Sequence, residues 1–356
     1  MQQISSNKFP RLFLVANFLS ANGGSRSVME DLADRLQTSV DRITCASHYR
    51  SGLMRGLHMA ATALLKRREY DLAVVDLYSG RAFLWGETVA RLLKFLGCPF
   101  VFVLRGGGLP DFARQQPQRV KNCLSKADVV TVPSPFLLEL MRPYLDDLRL
   151  LPNPLDIQRY EFKMRRAVKP NLMWLRSLHE TYNPSLAVKV LAALLPEFPE
   201  ANLTIIGPDK GDGSWQRVER LAQELGVNDR LIMPGGVAKH NVPIWLNRGD
   251  VFLNTTNVDN TPVSVLEAMA CGLCVVTTNV GGVPYLVEDE KQALIVPPND
   301  AEAMANAVRR ILNEPALAET LSSAGRQKAE QFDWSAIMPE WEKIFRSLAD
   351  KESQTN

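Results

Sequence analysis

The amino-acid sequence predicts an α/β protein of two doubly wound, open parallel sheets, and three observations predict it. Short continuous apolar runs, bounded by polar residues or glycine, recur along the chain. Segments with helical apolar spacing alternate with those runs. The rhythm stops once, near residues 150–170, and then restarts. A strand apolar at every position is covered on both faces, as in a parallel sheet with helices packed on either side. Regular alternation of strand and helix builds such sheets. At 356 residues the chain has room for two domains of ~150–180 residues each.

The first run, 12–18, reads as a buried opening strand, and Gly23-Gly24 as the turn into a helix over 27–37 with Val28, Leu32 and Leu36 on one face. Residues 52–68 carry Leu53, Leu57, Ala60, Ala61 and Leu64 at helical spacing, with Arg55, His58, Lys66, Arg67 and Arg68 around them. A basic amphipathic helix of this kind can lie on an anionic bilayer; a domain helix with a solvated basic end is the plainer reading. Runs at 72–76, 100–104 and 129–132 are further buried strands. Prolines at 152 and 154 and the basic stretch 163–170 mark a linker, which places a first domain at 1–160 and a second at 161–334. Strands are then expected at 171–175, 203–206, 231–233, 251–253 and 274–277, and a helix over 301–312. A last helix, 335–350, is expected to strap back onto the first domain.

Composition narrows the function. A formal net charge of +2 lacks the strongly basic face of a nucleic-acid-coating protein. Five cysteines scattered through apolar segments suit buried free thiols in a reducing compartment better than a disulfide framework. Cys271-Gly-Leu-Cys274 has no second Cys/His pair near it in sequence and is expected to be packing, not a metal site. No window is continuously apolar for the ~18 residues of a membrane span. The first strand, behind a polar lead, does not read as a signal peptide, and a cytoplasmic location is expected.

The segment 254–284 holds the most chemistry. Asp259 and Glu267 flank a helix start that follows one apolar strand and precedes another. Amides and the helix dipole can take a phosphate there, while a carboxylate accepts bonds from sugar hydroxyls. Ser264-Val-Leu-Glu267 also has the spacing of a capping box, in which Glu267 would only bond back to the helix start. The run Asp259…Glu267-Ala-Met-Ala-Cys-Gly272, a strand, and Gly281-Gly-Val-Pro284 resembles the C-terminal signature of retaining GT-B glycosyltransferases of family 4, the glycosyl transferases group 1.

That resemblance implies a GT-B fold, two Rossmann-like domains facing a central cleft, with a nucleotide-diphosphate sugar as donor. It implies that Glu267 bonds the ribose hydroxyls and that Asp259 lies by the donor sugar and phosphates. Pro262 has no N–H, so the amide donors to phosphate are expected at Val263 and Ser264, with Thr261 beside them. Arg176 fills the place of the arginine that clamps the diphosphate, for which a guanidinium suits the geometry. The family's lysine about six residues later is Tyr182 here. Lys210, after a strand, is a candidate substitute charge. Gly23 and Gly24 are expected to approach the ligand by backbone, and no G-x-G-x-x-G follows the first strand. Arg105, in Arg105-Gly-Gly-Gly, stands where relatives carry a histidine; a guanidinium cannot be a base, so holding a phosphate or anionic acceptor is its expected role. Among the histidines only His179 is expected near the cleft.

The expected activity is transfer of a hexose-type sugar from the nucleotide-diphosphate donor to a glycan or glycolipid hydroxyl, with retention and without a metal cofactor. The alternatives are a GT-B nucleotide-sugar epimerase, which Arg105 in place of histidine disfavours, and a non-catalytic sugar-nucleotide-binding scaffold. Peripheral contact with the inner face of a membrane through 52–68 is a further expectation.

Overall fold

In the computed structural model, which describes residues 10–20 and 26–355 with side chains through 350, the chain divides into two compact units. One comprises the residues up to Pro154 together with those from Ile337 on; the other is Leu155–Ala336. The boundary thus falls at Pro154, ahead of residue 160.

The first unit alternates β1 (Leu12–Val15), α1 (Val28–Leu36), β2 (Ile43–Ala46), α2 (Gly52–Leu65), β3 (Leu72–Leu77), α3 (Arg81–Phe95), β4 (Phe100–Leu104), α4 (Leu109–Gln115), α5 (Pro117–Leu124), β5 (Val129–Val132), α6 (Pro135–Met141) and β6 (Leu148–Leu150). All pairings are parallel, in the order β2-β1-β3-β4-β5-β6. Successive strands add outward from β1 on both sides, so the topological switch point lies between β1 and β3. The central strands β3 and β4 are buried at every residue; β4 is apolar throughout, and β3 carries one acid, Asp76, next to its last residue.

Helix α2 reverses the usual rule for a surface helix. Gly56, Met59, Thr62 and Ala63 turn inward, while Leu53, Met54, Leu57, Leu64 and Leu65 are exposed, Leu65 to 86%. Gly56 is the cause on the inner side: a Cβ there would lie 2.1 Å from the Trp85 ring of α3. The two helices meet through a glycine and an indole, and the leucines are left outside.

The second unit runs β7 (Asn171–Leu175), α7 (Pro184–Leu194), β8 (Asn202–Ile206), α8 (Ser214–Glu224), β9 (Leu231–Gly235), α9 (Val242–Leu246), β10 (Val251–Asn254), α10 (Val263–Ala270), β11 (Cys274–Thr278), α11 (Val283–Leu286), β12 (Ala293–Val296), α12 (Ala301–Asn313) and α13 (Pro315–Glu330). Its parallel order is β12-β11-β10-β7-β8-β9, with the switch point between β7 and β10. The basic stretch expected as linker is anchored within this unit. The buried Arg165 donates to the carbonyls of Cys271 at 2.7 Å and Gly249 at 2.9 Å and pairs with Asp250 at 3.2 Å. Cys271 and Cys274 are free and buried, and burial pushes both thiols up to about 12, which suits packing.

Helix α14 (Trp334–Thr355) begins in the second unit, and its residues from Ile337 on belong to the first.

Candidate functional site

Both acidic residues and Arg176 stand at the switch point of the second sheet. Arg176 follows β7, and the loop 255–262 follows β10, its neighbour. Ligands bind at such points because loops on either side diverge and leave a crevice at the strands' carboxyl ends.

Several close approaches fix these loops. Arg176 N donates to Ile206 O at 3.0 Å, and a Cβ on Gly207 would fall 1.7 Å from Arg176 O. Trp174 Nε1 donates to Thr255 Oγ1 at 2.8 Å, and Thr255 Oγ1 donates onward to Tyr182 O at 2.7 Å. Asn257 N donates to Thr181 O at 2.8 Å, so the loop after β10 is laced to the turn before α7. Gly281-Gly282 has a related purpose. Gly282 N donates to Asp259 O at 2.9 Å, while a Cβ would meet Asp259 O at 2.1 Å from Gly281 and Asn260 O at 1.7 Å from Gly282. The glycines of the signature let one loop rest directly on another.

Asp259 is buried and accepts from Arg176 Nη2 at 2.7 Å and from Asn260 N at 2.9 Å. Burial pushes its carboxyl above the ordinary carboxylate range, against the opposing pull of Arg176 and of the Asn260 N–H. The Arg176 guanidinium also sits over the Tyr182 ring, 4.5 Å from its centroid. Tyr182 therefore brings no charge of its own; it forms a face on which the arginine is oriented. His179 caps the turn at 180–182, its Nδ1 accepting from Thr181 N at 3.2 Å, which gives it a local structural task.

Glu267 does not form the capping box that its spacing allows. Helix α10 is capped by Pro262 with no side-chain bond, and Glu267 Oε1 instead accepts from Tyr160 Oη at 2.6 Å and from Lys239 Nζ at 2.7 Å. Both donors engage one oxygen and leave Oε2 for another partner. Neither Tyr160 nor Lys239 stands out in the sequence. Tyr160 lies in the stretch that reads as linker, 107 residues from its acceptor. Lys239 is the first charged side chain after β9, the one cue that could have singled it out.

The helix start remains open. The first helical bonds come from Val265 and Leu266 N–H to Pro262 O at 3.1 and 3.4 Å, so the amides of Val263 and Ser264 precede them. Asn257 Oδ1, Thr261 Oγ1 and Ser264 Oγ are buried without a hydrogen-bond partner among the described residues. A buried orphan polar atom is costly, and three across the loop after β10 and the first turn of α10 point to a ligand that satisfies them.

Lys210 lies on an exposed loop after β8, its backbone N–H donating to Leu178 O. Arg105 is not a free cation for an acceptor. It is buried, its Nε pairs with the Asp76 carboxylate at 2.9 Å, and its Nη1 bonds Asn153. Burial drives the Asp76 carboxyl upward, against the opposing pull of the Arg105 guanidinium that it pairs with. Gly23 and Gly24 lie outside the described residues.

Residues 158–328 match the model of the family described as glycosyl transferases group 1. Among similar proteins is the GDP-mannose-dependent alpha-(1-6)-phosphatidylinositol monomannoside mannosyltransferase of Mycolicibacterium smegmatis, 27% identical over 64% of this chain and 64% of that protein. Another is a D-inositol 3-phosphate glycosyltransferase of Saccharomonospora viridis, 32% identical over 42% of this chain and 36% of that protein. The chain thus spans less than two thirds of these curated relatives. Solved structures share the fold. The sucrose-phosphate synthase of Thermosynechococcus elongatus superposes with a TM-score of 0.76 at 20% identity, covering 96% of this chain and 99% of its own. Anabaena HepE in complex with UDP gives 0.72 at 16%, covering 94% and 99%. The architecture is that of GT-B proteins.

Proposed function

Residues 158–328 belong to the glycosyl transferases group 1 family, and from that premise we propose that the chain is a retaining glycosyltransferase. In this reading it moves a hexose-type sugar from a nucleotide-diphosphate donor to a glycan or lipid-linked hydroxyl. The observation that carries it is the segment 257–264, where Asn257, Thr261 and Ser264 hold three orphaned polar atoms around the anchored Asp259. Glu267 Oε2 accepts from a ribose hydroxyl, while Tyr160 and Lys239 hold the other oxygen. The diphosphate lies against the amides of Val263 and Ser264 and the Arg176 guanidinium, which Asp259 and the Tyr182 ring aim.

The acceptor oxygen bonds to the anomeric carbon as the bond from that carbon to the diphosphate oxygen breaks. The electron pair leaves with the diphosphate, and the acceptor proton passes to its departing oxygen. Arg176 and the two amides stabilise the charge that develops there. No side chain need act as nucleophile, and the reaction is expected to proceed in the presence of a chelator. The names of both relatives, a phosphatidylinositol monomannoside mannosyltransferase and a D-inositol 3-phosphate glycosyltransferase, are consistent with a lipid-linked or phosphorylated acceptor here.

The outward leucines of α2, with Lys66 and Arg68 at its end and no acidic residue within it, favour peripheral contact with an anionic membrane on the cytoplasmic side. No helix among the described residues is long and apolar enough to cross one. Incubation with a panel of radiolabelled nucleotide sugars tests the reading: transfer or donor hydrolysis is expected. Binding without turnover would leave only a sugar-nucleotide-binding scaffold.

A further inference from the structure

The first unit has a switch point of its own, between β1 and β3, and a cavity of about 230 Å³ opens there. It is lined by the ends of both strands and by the first turns of α2 and α3, and every lining residue belongs to the first unit.

Its charge is unusual. Asp76 is the one acid among its lining residues, and that acid is engaged by Arg105 at 2.9 Å with the Tyr78 hydroxyl beside it at 3.5 Å. Two arginines remain. Arg55 is clamped by neutral oxygens, its Nε donating to Tyr49 O at 2.9 Å, Nη1 to Asn17 Oδ1 at 2.8 Å and Nη2 to Arg50 O at 2.9 Å. Arg81 is exposed and has no acidic partner among the described residues. A guanidinium held still by carbonyls keeps its full charge and loses little entropy when an anion arrives. The first turns contribute in the same sense: neither Ser51 nor Gly80 caps its helix with a side-chain bond, and Gly52, Arg81 and Ala82 line the cavity. Trp85 supplies an aromatic wall.

Two arginines, two uncapped helix starts of 14 and 15 residues and no free carboxylate describe a site for a doubly charged oxyanion beside an apolar or ring-shaped body. We infer that this cavity binds a phosphate monoester, and that the molecule receiving the sugar carries one. The second half of that statement rests on the glycosyltransferase reading; the anion site does not.

The test is calorimetric titration of phenyl phosphate, and of phenylacetate as a carboxylate control, into the full chain. An Arg176→Ala background removes the diphosphate clamp of the second unit from the signal. Saturable binding of phenyl phosphate is expected in that background, weakened about tenfold or more by Arg81→Gln and by Arg55→Gln, and stronger than that of phenylacetate. Arg81 is exposed and unpaired, so Arg81→Gln should keep the parent melting temperature even if Arg55→Gln does not. Binding abolished by Arg176→Ala, or indifferent to both glutamine variants, would overturn the site. Equal affinity for phenylacetate would overturn the phosphate assignment. A failure to bind any nucleotide sugar would sink the proposed function without altering these titrations, so the two failures are told apart.

Discussion

The two switch points of this molecule are built on the same principle and furnished in opposite ways. In the second unit the crevice between β7 and β10 holds Arg176 against Asp259 at 2.7 Å, with Glu267 gripped on one oxygen by Tyr160 and Lys239. Each charge there has a partner that aims it, and the unsatisfied atoms are neutral hydroxyls and an amide oxygen. In the first unit the acid is the paired and buried partner, and the arginines Arg55 and Arg81 are left without a carboxylate. The lesson is that charge pairing, more than charge count, separates the site we propose for a polyhydroxylated donor from the one we propose for an anion.

The comparison breaks most decisively at Glu267. Glu267→Ala removes a charged acceptor of sugar hydroxyls, worth roughly 3 kcal/mol or more if two bonds are lost, so nucleoside-diphosphate affinity should fall at least ~100-fold by calorimetry. Unchanged affinity would leave Glu267 a purely structural residue. Arg176→Ala should lower kcat by about 10²–10³-fold with a smaller change in donor KM, because its charge matters most as the diphosphate departs; a raised KM with kcat unchanged would argue for ground-state binding alone.

Gly282→Ala sharpens the structural side. A Cβ 1.7 Å from Asn260 O must push the two loops apart, and a stability loss of about 2–3 kcal/mol is expected in thermal unfolding, with donor binding reduced as well. The smallest effect belongs to Lys239, which is 60% exposed and shares its acceptor oxygen with Tyr160. Lys239→Ala should weaken nucleotide binding only a few-fold, and less as salt rises, since exposed ion pairs contribute about 1 kcal/mol or less. A larger loss would mean that Lys239 touches the ligand itself.

What the sequence revealed follows the same division. Strands buried on both faces, such as β3, β4 and β10, are legible because they are apolar runs whose polar members, Asp76 in β3 and Asn254 in β10, stand at or next to the strand end. The strands that escape notice, β2, β6 and β12, all lie at sheet edges. The first two carry polar residues at Thr44 and Arg149. The opening strand ends at Val15 rather than 18: Ala16 N donates to Ala46 O at the end of β2, and Phe18 N donates to Ser47 O beyond it. At the site, Asp259, Glu267 and the paired glycines are local in sequence and carry a recognisable spacing. Tyr160, Lys239 and the role of Tyr182 as a stacking face depend on chain segments brought together only by folding. Arg105 misleads for a similar reason, since its buried partner Asp76 lies on another strand.

Hydrogen exchange measured on the full chain, with UDP, GDP and ADP added separately at saturating concentration, tests the central claim most directly. Protection is predicted at 256–267 and at 176–182 with at least one of the three, and its loss in Glu267→Ala. Nucleotide binding that protects only segments of the first unit, or that survives Glu267→Ala unchanged, would contradict the placement of the donor at the β7–β10 switch point.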